Sequence, residues 1–283
     1  MKILVAPQEF KGSISALSVA EAAETGVMRV FPEAEVVLCP VADGGDGTLE
    51  TLVEVSGGEV RTCSVQNPIG ETITAQWGAM GDGVTAVIEM ARTSGLALLS
   101  LDERDPLNSS TFGLGQAILE ALNQGFRKFI VGIGGSATND AGAGMAQALG
   151  ATLLNAEGKS IPFGGAALAD LRSIDISKMD TRIENSQFMV ACDVSNPLTG
   201  DEGASAVYGP QKGATPEMVA QLDNALLNFA EIVKKDIGKN VSEISGAGAA
   251  GGLGAGMLAF MGAELKAGVD IVLETVQLRE KLS

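Results

Sequence analysis

Short apolar runs and longer amphipathic stretches alternate along residues 1–55. Residues 2–6 are an apolar run that predicts a buried strand, and residues 15–30 place apolar side chains at helical spacing. Residues 35–38 predict a second strand, and residues 47–55 a second helix that stops at a pair of glycines. This strand–helix–strand–helix order predicts an α/β fold with a parallel sheet.

The pattern changes after residue 58. Residues 59–65, 72–78 and 84–90 have the texture of strands, and short glycine-containing turns separate them. This arrangement is typical of antiparallel hairpins. Helices and strands then alternate again, with helices expected near 111–123, 141–149 and 216–235 and strands near 128–131, 151–154 and 188–191. We therefore expect two α/β domains, one formed by residues 1–65 and one by residues 66–283.

The last residues, 269–283, predict a helix with no glycine or proline to stop it. One interpretation is that the chain is cut from a longer protein. The other is an ordinary C-terminal helix, and the local pattern does not decide between the two.

Composition narrows the chemistry. The chain has 283 residues and no histidine, which excludes Ser-His and Cys-His pairs, histidine metal sites and imidazole bases. Its net charge of −16 disfavours nucleic acid and anionic membranes as partners. Three separated cysteines without a CxxC motif, and no apolar run of about 18 residues, predict a soluble cytoplasmic protein.

Residues 128–145, KFIVGIGGSATNDAGAGM, give the strongest local signal for a ligand site. A strand enters a run of small residues and a helix comes after it, so backbone N–H groups and hydroxyls can approach a phosphate. The candidate phosphate-binding residues are Gly134, Gly135, Ser136, Thr138 and Asn139, with Asp140 as a candidate Mg²⁺ ligand. The alternative is that Asn139 or Asp140 merely caps the helix. The spacing fits neither a Walker A loop nor a dinucleotide fingerprint.

Two further segments place acids and lysines at predicted strand ends. VADGGDGT, residues 41–48, offers the carboxylates of Asp43 and Asp46, which suit Mg²⁺ or a general base, and Lys11 comes after the first strand. Residues 192–214 offer Asp193 after a strand and Lys212 in a Gly-Pro turn. Ordinary turn chemistry is the alternative for the acids, and a surface position is the alternative for Lys11. A glycine run at residues 246–256 has no polar side chain, which favours a packing or hinge role.

Taken together and in this order, these segments resemble the bacterial glycerate kinase family of the first type, which phosphorylates D-glycerate. The segments that carry the resemblance are APQEFKGSISA, VADGGDGT, IGGSATNDAGAGM, CDVSNPLTG, GPQKGA and GAGAAGGLGAG. The resemblance implies ATP and Mg²⁺ as cofactors and 2-phosphoglycerate as the favoured product. It also implies a flavodoxin-like parallel-sheet domain, incomplete in this chain, and an inserted domain with a mixed sheet.

The chain departs from the family pattern in residues 109–115 and at three further places. Gln8 and Glu9 replace an Asp-Ser pair, Asp46 replaces a glutamate, and the family's Thr-Gly-Glu-Gly motif, expected beyond residue 283, is absent. Because each of these acids and lysines lies at a predicted strand end beside a glycine turn, we expect Asp43 or Asp193 as the base, Asp46 or Asp140 for Mg²⁺, and Lys11 or Lys212 for glycerate carboxylate or γ-phosphate. The alternatives are an inactive, ligand-binding relative or a kinase of another small hydroxy acid. A homodimer is one assembly compatible with this interpretation.

Overall fold

The computed structural model describes residues 1–10, 13–42 and 47–278. Lys11, Asp43 and Asp46 lie outside the described residues, so their predicted roles stay predictions. The strands are β1 Lys2–Val5, β2 Glu35–Leu38, β3 Glu59–Gln66, β4 Thr72–Ala79, β5 Thr85–Glu89, β6 Lys128–Gly132, β7 Thr152–Leu154, β8 Ser173–Asp175, β9 Gln187–Ala191 and β10 Glu264–Lys266. The helices are α1 Ala16–Val30, α2 Thr48–Val55, α3 Ala91–Ser94, α4 Phe112–Asn123, α5 Ala143–Ala148, α6 Ala204–Tyr208, α7 Pro216–Asp236, α8 Ala249–Met261 and α9 Gly268–Thr275.

A mixed sheet of six strands, in the order β10-β9-β6-β5-β4-β3, is the centre of the molecule. Strands β3, β4 and β5 pair antiparallel, which confirms the predicted hairpins, while β5, β6, β9 and β10 pair parallel. Strands β1 and β2 form a separate parallel pair, as the first 55 residues predict. The α/β class, the parallel strands and the mixed sheet are therefore confirmed.

The central strands β5 and β6 are buried on both faces of the large sheet, which explains why they are almost continuously apolar. In β6, Phe129 and Val131 face the main core, whereas Ile130 belongs to a second core on the opposite face. Helices α4, α5, α7 and α8 contribute to the main core, and α2 and α9 to the second. Alternate side chains of one strand thus hold helices on both sides of the sheet.

The second core bears on the expected division of the chain. Helix α2 lies in residues 1–65, yet Leu49 and Leu52 share a core with Val87 and Ile130 of the large sheet. Strand β3, which ends at Gln66, also pairs with β4 in that sheet. A boundary near residue 66 stays a prediction, and these contacts attach α2 and β3 firmly to the large sheet.

The register of the parallel strands determines where a ligand site can form. Glu89 of β5 pairs with Gly132 of β6, which pairs with Ala191 of β9, so the three strands end at the same level. Ligands of open α/β sheets bind at this carboxyl edge. Within the residues that the structure describes, no helix is both long and apolar enough to cross a membrane.

Candidate active site

A cavity of about 210 Å³ lies at the carboxyl edge of β6 and β9. It brings together four residues that the sequence singled out, Gly134, Gly135, Ser136 and Asp193. The cavity is completed by Ile133, Ala191, Cys192, Val194, Tyr208, Gln211, Ala249 and Ala250. The phosphate-loop candidate and the candidate base thus share one cavity because their strands end side by side.

The glycine-rich loop after β6 is fixed by its carbonyl groups and by one N–H group. Leu96 N–H donates to the Gly135 carbonyl at 2.9 Å, and Ala137 N–H donates to the Ser94 carbonyl at 2.9 Å. Gly135 adopts a left-handed conformation with φ +70°, and a side chain there would meet Ala91 at 3.3 Å. The segment after β5 therefore holds the loop from one side.

The remaining N–H groups of this loop have no partner among the described residues. They belong to Gly134, Gly135, Ser136, Thr138, Asn139 and Asp140. The last three of these residues are almost completely buried, and buried backbone N–H groups are rarely left unpaired in proteins. Gly134, Gly135 and Ser136 line the cavity, and a loop with several unpartnered donors at a cavity wall has the chemistry of an anion site.

The carboxylate of Asp140 accepts four hydrogen bonds. Its carboxylate accepts from the N–H and hydroxyl of Thr111 at 2.9 Å each, from Gly142 N–H at 3.1 Å and from Gly144 N–H at 3.2 Å. Burial raises the pKa of Asp140, and these four donors oppose the rise. The capping alternative thus holds for Asp140, which ties the start of α4 to the start of α5.

The contacts of Asp140 bear on two predictions. Helix α5 begins at Ala143, two residues later than expected, because Ala141 and Gly142 are left-handed with φ of +51° and +73°. Its first N–H groups are taken by Asp140 and by the Thr111 hydroxyl, so phosphate binding at this helix terminus finds no free donors. The free N–H groups lie in the loop before α5, so we propose the loop, and not the start of α5, as the phosphate site.

Magnesium finds no preformed site in the part of the chain that the structure describes. There, no group of three acids or cysteines is arranged to hold a metal ion. Asp140 is almost completely buried and is not among the residues that line the cavity, and its Oδ2 accepts three hydrogen bonds. Its predicted metal role stays a prediction, as does that of Asp46.

Lys212 lies inside the protein, below the glycine-rich loop. It is 0% exposed, and its ammonium donates to the Thr138 carbonyl at 2.6 Å. Burial lowers the pKa of Lys212 to about 7, and the charge of Asp140 opposes this shift. Lys212 does not line the cavity, so in this arrangement it contacts the loop backbone and can act on a ligand only through the loop.

Asn139 is also part of this buried layer. Its side-chain amide donates to the Ser205 hydroxyl of α6 at 3.1 Å, whereas its own oxygen and the Thr138 hydroxyl have no partner in the described part of the chain. Of the predicted phosphate ligands, Thr138 and Asn139 therefore lie behind the loop surface that Gly134, Gly135 and Ser136 form.

Asp193 lines the cavity, and one of its carboxylate oxygens is held by a hydrogen bond. Its Oδ1 accepts from Gly268 N–H, the first residue of α9, at 2.8 Å. This bond orients the carboxylate, and its other oxygen has no partner among the described residues. An exposed, oriented carboxylate beside an anion site can accept a proton from a bound hydroxyl.

Tyr208, Gln211, Ala249 and Ala250 line the cavity, and the sequence did not single them out as site residues. The Tyr208 hydroxyl donates to Asn196 at 2.6 Å, which fixes the ring at the end of α6. A signal was available for Tyr208, since it is the single tyrosine of the chain and precedes the Gly-Pro turn. No pattern in the sequence distinguishes Ala250 from its neighbours.

Comparison with known proteins identifies the family of the chain. A model of the glycerate kinase family matches residues 3–283. The chain belongs to the glycerate kinase family. It is 51% identical over 282 residues to glycerate 2-kinase of Escherichia coli K12, covering 100% of this chain and 74% of that protein. It is 52% identical over 276 residues to glycerate kinase of Bacillus subtilis 168, covering 98% of this chain and 72% of the relative.

A solved structure extends the agreement to the fold of this glycerate kinase family member. A crystal structure of a protein assigned as glycerate kinase 2 from Salmonella typhimurium LT2 superimposes with a TM-score of 0.98 at 49% identity. The match covers 100% of this chain and 75% of that one. The family resemblance in the sequence motifs is thus confirmed, and so is its consequence that the protein is a kinase.

Proposed function

We propose that this chain phosphorylates D-glycerate with ATP and yields 2-phosphoglycerate. The observation that supports this most directly is the pairing, in one cavity, of unpartnered loop N–H groups with the oriented Asp193 carboxylate. Phosphoryl transfer needs anion binding and correct positioning more than covalent chemistry. The names of the E. coli and B. subtilis relatives support glycerate as the acceptor.

In this proposal the loop from Gly134 to Ser136 binds nucleotide phosphates. Asp193 accepts the proton of the glycerate hydroxyl as it attacks the γ-phosphorus, the bond to the β-phosphate oxygen breaks, and ADP leaves. Lys212 holds the Thr138 carbonyl and adds positive charge below the loop. Asp43 is the other candidate base, Lys11 a candidate for the carboxylate of glycerate, and Asp46 a candidate for Mg²⁺. We propose no step through Mg²⁺, because the described residues do not form a site for it.

The experiment is a steady-state assay of ADP formation with D-glycerate, with ³¹P NMR of the product. Replacing Asp193 by Asn should lower kcat about 100-fold or more, the usual contribution of a general base. The Asp175→Asn variant is the control, since Asp175 lies at an exposed position in β8. The base assignment fails if Asp43→Asn and Asp193→Asn both keep near-normal turnover.

The same assay decides between the remaining functions. No ADP formation by the unaltered protein with D-glycerate or any other small hydroxy acid would contradict the proposal and favour an inactive relative. A better acceptor among those acids would redirect it to another substrate. A cytoplasmic location and a homodimer are retained from the sequence as proposals.

A further inference from the structure

Three consecutive residues at the start of α8 are left-handed. Ala250, Gly251 and Gly252 have φ of +54°, +71° and +85°. Glycine adopts this conformation without strain, whereas alanine does so at a cost, because its Cβ crowds the following carbonyl. Ala250 is thus strained where its two neighbours are not.

The glycines at 251 and 252 have steric reasons that do not apply at 250. A Cβ on Gly251 would lie 2.0 Å from the Thr138 carbonyl oxygen, and one on Gly252 would lie 2.9 Å from Leu198. Ala250 is half-buried and lines the cavity beside Gly134, Gly135 and Asp193. Its methyl group therefore combines a strained backbone with a position at the cavity wall, and strain of this kind is concentrated at functional sites.

We infer that Ala250 is a nucleotide-binding residue of the kinase reaction, whose methyl group contacts the nucleotide bound in the cavity. This inference rests on the proposed function, which places the nucleotide phosphates at the loop from Gly134 to Ser136. Ala250 lines the same cavity as that loop, so removal of its methyl group should loosen the fit to the nucleotide and enlargement of the side chain should block entry. The competing explanation is core packing, since Ala250 also touches the main core.

Replacing Ala250 by Gly separates these explanations, because they predict opposite changes in stability. If the methyl contacts nucleotide, Ala250→Gly relieves backbone strain and raises the melting temperature. The KM for ATP should then rise about three- to fivefold, the effect of losing one buried methyl contact. The KM for D-glycerate should stay unchanged.

A second variant and a control make the test independent of folding. Asparagine tolerates the left-handed region, so Ala250→Asn should keep the melting temperature and raise the KM for ATP more than tenfold by filling the cavity. Gln277→Gly is the matched control, because Gln277 is exposed, also left-handed with φ +53°, and outside the cavity lining. It should raise the melting temperature without changing either KM.

Three results would overturn the inference. An unchanged KM for ATP in both Ala250 variants excludes a contact with nucleotide. A lower melting temperature for Ala250→Gly, with a higher one for Gln277→Gly, assigns the methyl group to core packing. A rise confined to the KM for D-glycerate rejects the assignment of the cavity to nucleotide. If the unaltered protein still forms ADP with D-glycerate, that result contradicts the inference on Ala250 and leaves the proposed function intact.

Discussion

Lys212 is a lysine with no exposure to water, and within the described chain its ammonium makes one hydrogen bond, to the Thr138 carbonyl. Removing an ammonium from water is costly, and the cost appears as the lowering of its pKa to about 7. Because a trans peptide directs C=O and the next N–H to opposite sides, this bond also sets the orientation of the Asn139 N–H. The buried cation is thus linked to one of the unpartnered donors of the loop.

The lowered pKa of Lys212 makes stability depend on pH. Between about pH 7 and 10.5 the unfolded chain binds more protons at this lysine than the folded chain, so stability rises with pH in that window. Lys212→Met removes this contribution. The free energy of unfolding of the unaltered protein should therefore exceed that of the variant by about 2 kcal/mol more at pH 9 than at pH 7. Urea unfolding at both pH values measures the difference.

Lys234→Met is the control for this prediction, because Lys234 lies at an exposed position on α7. It should leave the pH dependence of the unaltered protein in place. If Lys212→Met and Lys234→Met show the same pH dependence, the Lys212 ammonium does not experience the burial that the structure gives it.

At the scale of elements, the glycine run that begins α8 packs directly on the loop before α5. Ala141 N–H donates to the Gly251 carbonyl at 3.1 Å, and a Cβ on Gly256 would lie 2.2 Å from the Ala141 carbonyl oxygen. This contact confirms the packing interpretation of residues 246–256 and adds a wall of the cavity. The glycines allow the two backbones to approach where side chains would separate them.

Gly251→Ala tests this close approach. The new Cβ would overlap the Thr138 carbonyl and would also strain a left-handed position, so we expect a loss of about 3 kcal/mol or more in the free energy of unfolding. Gly158→Ala is the matched control, because Gly158 has φ +72° and nothing within 4 Å of an added Cβ. Backbone strain alone should cost it about 1 kcal/mol. Equal losses in urea unfolding would show that the two backbones separate easily.

Elements with a strong period were predictable from the sequence, and short elements fixed by tertiary contacts were not. Helix α7 spans Pro216–Asp236, one residue more than predicted. Thr215 caps its start, and apolar spacing continues along its length. Strands β8 and β10 have three residues each and were missed. Their pairing depends on β7 and β9, and so short a run contains no period of its own.

The candidate site was predictable to the same extent. Gly134 and Asp193 meet because parallel strands end together, which the alternation of strands and helices already implies. The depth of Lys212 could not be foreseen, since its turn and the loop it supports are 74 residues apart in the chain. The role of Asp140 likewise depends on Thr111, which comes from a different element.

At the scale of the whole molecule, a partly buried ion-pair network connects α2 to the large sheet. Glu89, at the end of β5, accepts from Leu49 N–H of α2 at 3.1 Å and from Arg92 at 2.6 Å. Arg92 also pairs with Glu50 of α2 at 2.6 Å. Burial raises the pKa of Glu89, and Arg92 opposes the rise. Helix α2 comes directly after the Asp43–Asp46 segment. This network and the second core hold it against the end of β5, and the segment after β5 bonds the glycine-rich loop.

Replacing Arg92 by Gln should therefore make stability fall as pH rises. Without the guanidinium, the folded-state pKa of Glu89 rises further, and a raised carboxyl pKa contributes stability that is present below the unfolded value of 4.5 and lost as pH rises through the folded value. We expect a loss of about 3 kcal/mol relative to the unaltered protein at pH 8, and a smaller loss at pH 5. Arg61→Gln is the control, because Arg61 pairs with the exposed Glu59 and lies over the rings of Trp77 and Phe126, and the loss of these contacts should be equal at both pH values. Urea unfolding of all three proteins at both pH values measures this, and an equal loss for Arg92→Gln at pH 5 and 8 would mean that Glu89 reaches water once Arg92 is gone.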